Sequence, residues 1–279
     1  MEVRIPDLFD LQKITDSGQC FRVTPLPGGT YRFLTGCEVL YIRKMSEETY
    51  QVSCDPDTWE SIWKPYFDLS RNYRDIRKAV PAEDTFLDQA AQAGAGIRIL
   101  RQDPWEMLVT FIISQRKSIP AIRSVVEALS RRYGTKIQAP TETLYTFPTA
   151  LQMKDACPED FIACKAGYRA PYLCDAVEQV LSGRLDLTGI AALPDAELIA
   201  ALEAVRGVGV KVANCVALFA YGRTACAPVD TWIKKVIQKE YQGQNPFARY
   251  GNAAGIMQQY FFYYAQSHKA ETAQRCFRT

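Results

Sequence analysis

A helical apolar pattern broken at Gly207-Val208-Gly209 and resumed within a turn constrains this chain more than any other feature. Leu198, Ala201, Leu202 and Val205 recur at helical spacing before the break, and Val212, Cys215, Val216 and Phe219 after it, until Gly222 ends the run. The expected form over about residues 195–222 is two helices joined by a tight turn. Amides of the Gly207 to Val210 turn lack intrahelical partners and face outward at a helix N-terminus, where hydrogen bonding and the helix dipole both favour an anion. The glycines allow close approach, yet the same residues end many helices that bind nothing.

Lys211 opens the second helix and stands four residues before Cys215, so the two share a face bordering the apolar stripe. A free amine held against apolar surface is a nucleophile able to form a Schiff base; a solvated first-turn lysine is the plainer alternative. Further on, Pro228-Val229-Asp230 places Asp230 where an N-cap belongs, ahead of Ile233, Val236 and Ile237. A capping carboxylate accepts backbone N–H bonds and is held in one direction.

The remaining composition narrows the chemistry. A chain of 279 residues allows one or two domains with a sizeable core. Its apolar share is 48%, and no apolar run approaches the roughly 20 residues of a membrane span. The opening MEVRIPDLFD carries acids and no basic-then-apolar signal, so a cytoplasmic location is expected, with no membrane partner. Nine scattered cysteines without a C-x-x-C pair point to reduced thiols, and only Cys276 follows Cys226, which argues against an iron-sulfur cluster. With His268 as the sole histidine, catalytic triads and histidine metal sites are disfavoured, leaving lysine, carboxylate and backbone. A net charge of +2 does not announce a nucleic-acid partner, so local clusters matter more: Arg116-Lys117, Arg131-Arg132, Arg169 and Lys234-Lys235.

The fold class read from these patterns is α+β. Segments Thr30 to Gly36, Val39 to Met45 and Tyr50 to Cys54 are rich in β-branched and aromatic residues and predict an antiparallel sheet within a domain of residues 1–80. Within it, Gly18-Gln19-Cys20-Phe21-Arg22 is a segment where a backbone carbonyl can approach a ligand. Residues 81–279 read as a mainly helical domain. There Asp103 caps a helix opened by Pro104 and carrying Trp105, Leu108, Val109 and Ile112 on one face, and the polar stretch Ser114 to Pro120 precedes a second helix from about Ala121 to Tyr133.

Taken together, the hairpin, Lys211 and Pro-Val-Asp230 resemble the helix-hairpin-helix DNA glycosylase superfamily. Gly18-Gln19-Cys20-Phe21-Arg22, Gln102-Asp103-Pro104 and Gly167-Tyr168-Arg169-Ala170 are similar to signatures of its 8-oxoguanine DNA glycosylase branch, in the same order along nearly the whole chain. The resemblance implies a bifunctional glycosylase and AP lyase, acting as a monomer on double-stranded DNA containing oxidised guanine. Lys211 would attack C1′ of the damaged nucleotide and Asp230 would orient the amine and stabilise positive charge on the sugar. The base would leave the stack first. It would then meet the Gly18 carbonyl at N7–H, Cys215 and Phe262 on its faces, and Gln258 at its Watson-Crick edge; Gln258 and Phe262 are four apart in one helical stretch and share a face. Tyr168, Arg169, Gln115, Arg116 and Trp232 would engage DNA, with amides around Gly207, Gly209, Lys211 and Val212 on phosphate. Carbonyls of Glu203, Val205 and Val208 would bind a structural monovalent or calcium ion, with no cofactor required for the chemistry.

Four departures accompany the resemblance. Arg206 replaces a usual proline before the hairpin, Arg116 or Gln115 stands where other members fill the vacated stack, Ala121 falls where they read the opposite cytosine, and Trp232 replaces a histidine. These features suggest a bacterial-type enzyme of the nucleoid with looser opposite-base preference. Two other functions fit parts of the pattern: an alkylated-base glycosylase of the same superfamily, and a DNA-binding module without enzymatic activity.

Overall fold

The computed structural model describes residues 1–140 and 142–276, with side chains described through Ser267. His268 and Cys276 therefore lie outside the described side chains. The chain gathers into two compact units, each assembled from separate stretches: Met1–Cys20, Lys44–Leu100 and the chain from Arg223 onward in one, Phe21–Arg43 and Arg101–Gly222 in the other. The units thus interleave along the sequence rather than dividing at residue 80.

In the first unit, strand β1 (Glu2–Arg4) pairs antiparallel with β5 (Thr49–Val52), in the register Val3 opposite Tyr50. An aromatic cluster forms beneath it. Phe9 meets Tyr50 and Phe67 edge-on at 5.3 and 5.2 Å, while the Tyr50 hydroxyl donates to the Phe9 carbonyl at 2.6 Å. Trp63, Tyr66 and Phe67 continue the cluster from short helical turns between Pro56 and Tyr66, for which the sequence predicts no element of their own within the expected β domain. Helices Thr85–Ala93 and Ala254–Cys276 pack together, and Gly94 lets them approach because a Cβ there would lie 2.5 Å from the Tyr260 ring.

In the second unit, strands β2 (Val23–Leu26), β3 (Thr30–Thr35) and β4 (Glu38–Lys44) form an antiparallel meander, β4 ending on the unit boundary. The predicted strands in this part of the chain appear within a residue of their expected bounds; β1 and β2 were not anticipated, being short and weakly patterned. Helices Pro104–Ser114, Ile119–Tyr133, Ala170–Leu181, Asp195–Glu203 and Val210–Phe219 make up the rest of the unit that concerns the site. Pro104–Ser114 packs against Val210–Phe219, with Phe111 stacked on Phe219 at 5.4 Å and 19°. Asp103 caps it as expected, accepting the Glu106 amide at 2.8 Å. Among the described residues no helix is long and apolar enough to cross a membrane.

Glu106, on the first turn of that helix, is buried at 6% exposure. Burial pushes its carboxyl up from 4.5 to about 7; Arg22 opposes the shift and Asp103 adds to it. Because the folded value exceeds the unfolded one, the native state binds the extra proton and stability falls as pH rises from about 4.5 to about 7. Glu106→Gln is expected to flatten this dependence, which is on the order of 3 kcal/mol at most. Urea midpoints of both proteins at pH 5 and pH 8 check it, and parallel pH dependences would refute the assignment.

Candidate active site and nucleic-acid interface

The hairpin forms where the glycines break the apolar pattern. Leu198, Leu202 and Val205 are buried on its first side, Val212, Cys215, Val216 and Phe219 on its second. Between the helices, the Val208 amide donates to the Val205 carbonyl at 3.0 Å and Gly207 adopts φ +82°, the hydrogen bond and left-handed third residue of a type II turn. The Val208 N–H is therefore taken within the turn, which corrects the expectation that every amide from Gly207 to Val210 faces outward. Gly209 is extended and caps Val210–Phe219 without a side-chain partner, so the amides of Val210, Lys211 and Val212 stand at an open helix N-terminus. Gly207 is required twice over: its φ is left-handed, and a Cβ there would sit 2.4 Å from the Tyr172 ring.

Lys211 is half-buried, with its amine 5.3 Å from the centroid of Phe111. The Phe111–Phe219 stack beneath it forms an aromatic shelf that limits where the amine can go. Cys215 is buried one turn along the same helix.

The polar stretch after Pro104–Ser114 is tied to the hairpin rather than loose. Gln115 donates its amide to the Ile112 and Gly207 carbonyls, each at 3.1 Å. Arg169 donates to the Ala166 carbonyl at 3.1 Å and to the Gln115 carbonyl, and its guanidinium lies 4.2 Å from the Tyr168 ring centroid. Arg169 is buried at 4% exposure, whereas Tyr168 stands 54% exposed on top of it. Lys117 donates to the Lys165 carbonyl at 2.9 Å, and burial with the nearby Arg169 charge pulls its ammonium below the usual lysine range. Arg116 differs from all of these: it is exposed and held at φ +52°, a strained conformation for a side chain of this size. Arg131 and Arg132, grouped by the sequence reading with possible DNA-facing cations, are paired instead with Glu127 and Asp160.

In the other unit, Gly18 adopts φ +73° between buried Ser17 and Gln19. Gln19 donates to Ser17 Oγ and the Arg98 carbonyl and accepts from the Leu100 amide, all at 2.8 Å, which fixes the backbone beside Gly18. Asp230 caps Thr231–Glu240 as expected: Oδ1 accepts the Trp232 and Ile233 amides at 2.9 and 2.8 Å, setting the direction of Oδ2. Trp232 is half-buried beneath Lys235, whose amine lies 5.3 Å from its ring. Gln258 is buried and its Oε1 accepts from Gln259 at 3.0 Å; Phe262 is half-buried one turn along the same helix. No sequence motif marks Phe111, Tyr172 or Asp175, each of which packs on the hairpin or its lysine; apolar spacing alone does not say which core ring lies under a given amine.

The hairpin with its first-turn lysine and the capping aspartate after Pro-Val define the class as a helix-hairpin-helix DNA glycosylase fold. A profile of the 8-oxoguanine DNA glycosylase N-terminal domain matches residues 3–108. The structure is similar to that of MBOgg1 in complex with a low-affinity DNA ligand, at 34% identity, a TM-score of 0.91 and coverage of 96% of each chain. It is also similar to the apo-form of the Clostridium acetobutylicum 8-oxoguanine glycosylase/lyase, at 36% identity, a TM-score of 0.89 and coverage of 94% of this chain and 95% of that one. A probable N-glycosylase/DNA lyase of Methanothermobacter thermautotrophicus is 28% identical over 229 residues, 72% of each protein. The chain belongs to the 8-oxoguanine DNA glycosylase family.

Gly207→Ala is expected to force the turn away from Tyr172 and to weaken binding to a duplex containing an abasic-site analogue by about fivefold or more, since strain of about 1–3 kcal/mol must be relieved by moving the turn. Fluorescence anisotropy measures this; an unchanged affinity would show that the turn geometry does not matter for the grip.

Proposed function

We infer that this chain is a bifunctional 8-oxoguanine DNA glycosylase and AP lyase acting on double-stranded DNA. The observation that carries the reading is Lys211 on the first turn of the second hairpin helix, in a chain aligned end to end with a glycosylase/lyase of the family. In this reading the damaged nucleotide leaves the stack because C1′ is inaccessible inside a duplex. The Lys211 amine attacks C1′, the bond to the base breaks, and the base departs with the electron pair and a proton. Opening of the sugar ring leaves a Schiff base on Lys211. Loss of a C2′ proton then expels the 3′ phosphate by β-elimination. Asp230, its carboxylate aimed by two backbone amides, stabilises the positive charge that develops on the sugar.

Recognition of the base falls to the Gly18 carbonyl, which accepts the N7 hydrogen that 8-oxoguanine has and guanine lacks; the undamaged base leaves that acceptor unpaired. Cys215 and Phe262 contact the base faces and Gln258 its Watson-Crick edge. On the DNA side, the amides of Gly209, Lys211 and Val212 take phosphate, Tyr168 wedges beside the estranged base, and Arg116 enters the vacated stack because Gln115 is turned inward to Gly207. Trp232 and Arg169 border this surface, Arg169 through its hold on Tyr168. Backbone oxygens of Glu203, Val205 and Val208 have the hard-donor chemistry of a monovalent or calcium site, and Val205 keeps one lone pair after accepting from Val208. The enzyme works as a cytoplasmic monomer on the nucleoid and requires no cofactor for the chemistry.

Incubation with an 8-oxoguanine duplex and borohydride is expected to trap a covalent adduct that Lys211→Gln abolishes. Neither adduct nor base release from the unaltered protein would sink the reading. Asp230→Asn is expected to bind the same duplex with little change while losing at least a hundredfold in single-turnover base release, the scale of a removed electrostatic group. Full turnover in that variant would take Asp230 out of the mechanism.

A further inference from the structure

The hairpin turn has a support that the chemistry above does not use. In the turn Val205-Arg206-Gly207-Val208, Arg206 occupies the second position of a type II geometry, where the backbone amide takes no part in the turn's own hydrogen bond. That amide donates to Oδ2 of Asp175 at 2.8 Å. Asp175 is half-buried on Ala170–Leu181 and lies three residues after Tyr172, so the two project from one face of that helix. Tyr172 receives the bare Cα of Gly207, Asp175 receives the amide of Arg206, and Gln115 donates to the Gly207 carbonyl from the other side. Two consecutive residues of the turn are thus gripped at three points within one compact unit.

Proline suits this position of a type II turn, since its ring presets φ and removes the amide. With arginine here, the chain has an amide in need of an acceptor and a backbone with more freedom to lose. Asp175 meets both needs. We propose that Asp175 is a positioning residue for the DNA grip: by accepting the Arg206 amide it fixes the turn, and so the direction of the amides that follow from Gly209 to Val212. The proposal rests on the reading of the hairpin as the phosphate contact.

Charge and geometry predict opposite signs. As a bare negative charge beside a phosphate site, Asp175 would oppose DNA, and its removal would tighten binding. As a positioning residue its removal loosens binding, while asparagine, which keeps a carbonyl acceptor, preserves it. The experiment measures affinity for a duplex carrying a tetrahydrofuran abasic analogue and for the undamaged duplex, using the full chain and Asp175→Ala, Asp175→Asn, Arg206→Pro and the double variant Asp175→Ala/Arg206→Pro. Asp175→Ala is expected to bind the analogue about fivefold to tenfold more weakly, the scale of an orphaned amide. Asp175→Asn should lie within twofold of the unaltered protein, and adding Asp175→Ala to Arg206→Pro should change nothing, because proline has no amide to orphan. Single-turnover base release at saturating enzyme should fall by less than the affinity in Asp175→Ala, since Phe111 still limits where the Lys211 amine can go.

Equal or tighter binding by Asp175→Ala overturns the proposal, as does an equal loss in the proline background. If Asp175→Ala does not fold, the asparagine variant and the proline pair still decide: loss of binding in either comparison counts against the proposal, and retention in both supports it. Failure of the unaltered protein to prefer the analogue over undamaged duplex would instead remove the reading of the hairpin itself.

Discussion

The contact between Gly207 and the ring of Tyr172 is the constraint on which the hairpin unit depends. A turn that must place a backbone atom where any Cβ would collide has only one orientation relative to Ala170–Leu181. Val210–Phe219 begins three residues later, so the orientation of the turn sets the direction of its first amides and the point from which Lys211 leaves the backbone. Phe111 then limits the side chain from the other end. Amides suited to phosphate and an amine suited to a sugar carbon are therefore placed by the same close approach. Loosening it would disturb both together.

Cations in this unit divide by the kind of acceptor they meet. Arg131 and Arg132 face carboxylates, and their charge is cancelled nearby. Lys117 and Arg169 donate to backbone carbonyls, which fix their geometry without neutralising them. The positive potential of the second pair persists around Tyr168 and Arg116, both of them exposed. A net charge of +2 over the whole chain conceals that local excess.

What could be read in the sequence was what a short stretch decides alone. The hairpin helices follow from apolar spacing interrupted by glycine, and the caps at Asp103 and Asp230 follow from an acid before an apolar period. Helical turns between Pro56 and Lys78 escaped notice because three- to six-residue helices have no period to detect, and their aromatic content resembles that of strands. The inward turn of Gln115 was illegible for a different reason. Gln115 and Arg116 are adjacent polar residues, and only the Gly207 carbonyl on a distant segment decides which one turns inward. Asp175 belongs to the same case: nothing near it in sequence marks it, and its partner is an amide that exists only because position 206 is not proline. The two interleaved units could not be seen either, since they are defined by which distant stretches pack together.

A carbonyl such as that of Gly18 can discriminate between bases only if it cannot move to find another donor. The cost of an unmade hydrogen bond, about 1–3 kcal/mol, is collected in full only when the acceptor is rigid. Glycine at φ +73° would by itself be the most mobile choice. Gln19 changes that, because its side-chain amide bonds to Ser17 on one side and to the Arg98 and Leu100 backbone on the other, with the side chain fully buried. The glycine supplies the shape and its neighbour supplies the stiffness. Asp230 repeats the arrangement with a carboxylate, one oxygen fixed by two amides so that the other has a single direction. In both places the group proposed for chemistry or reading is aimed by hydrogen bonds that a side chain makes to nearby groups rather than by apolar packing. Substitutions that keep volume but lose those bonds are therefore predicted to matter more than changes in size around them.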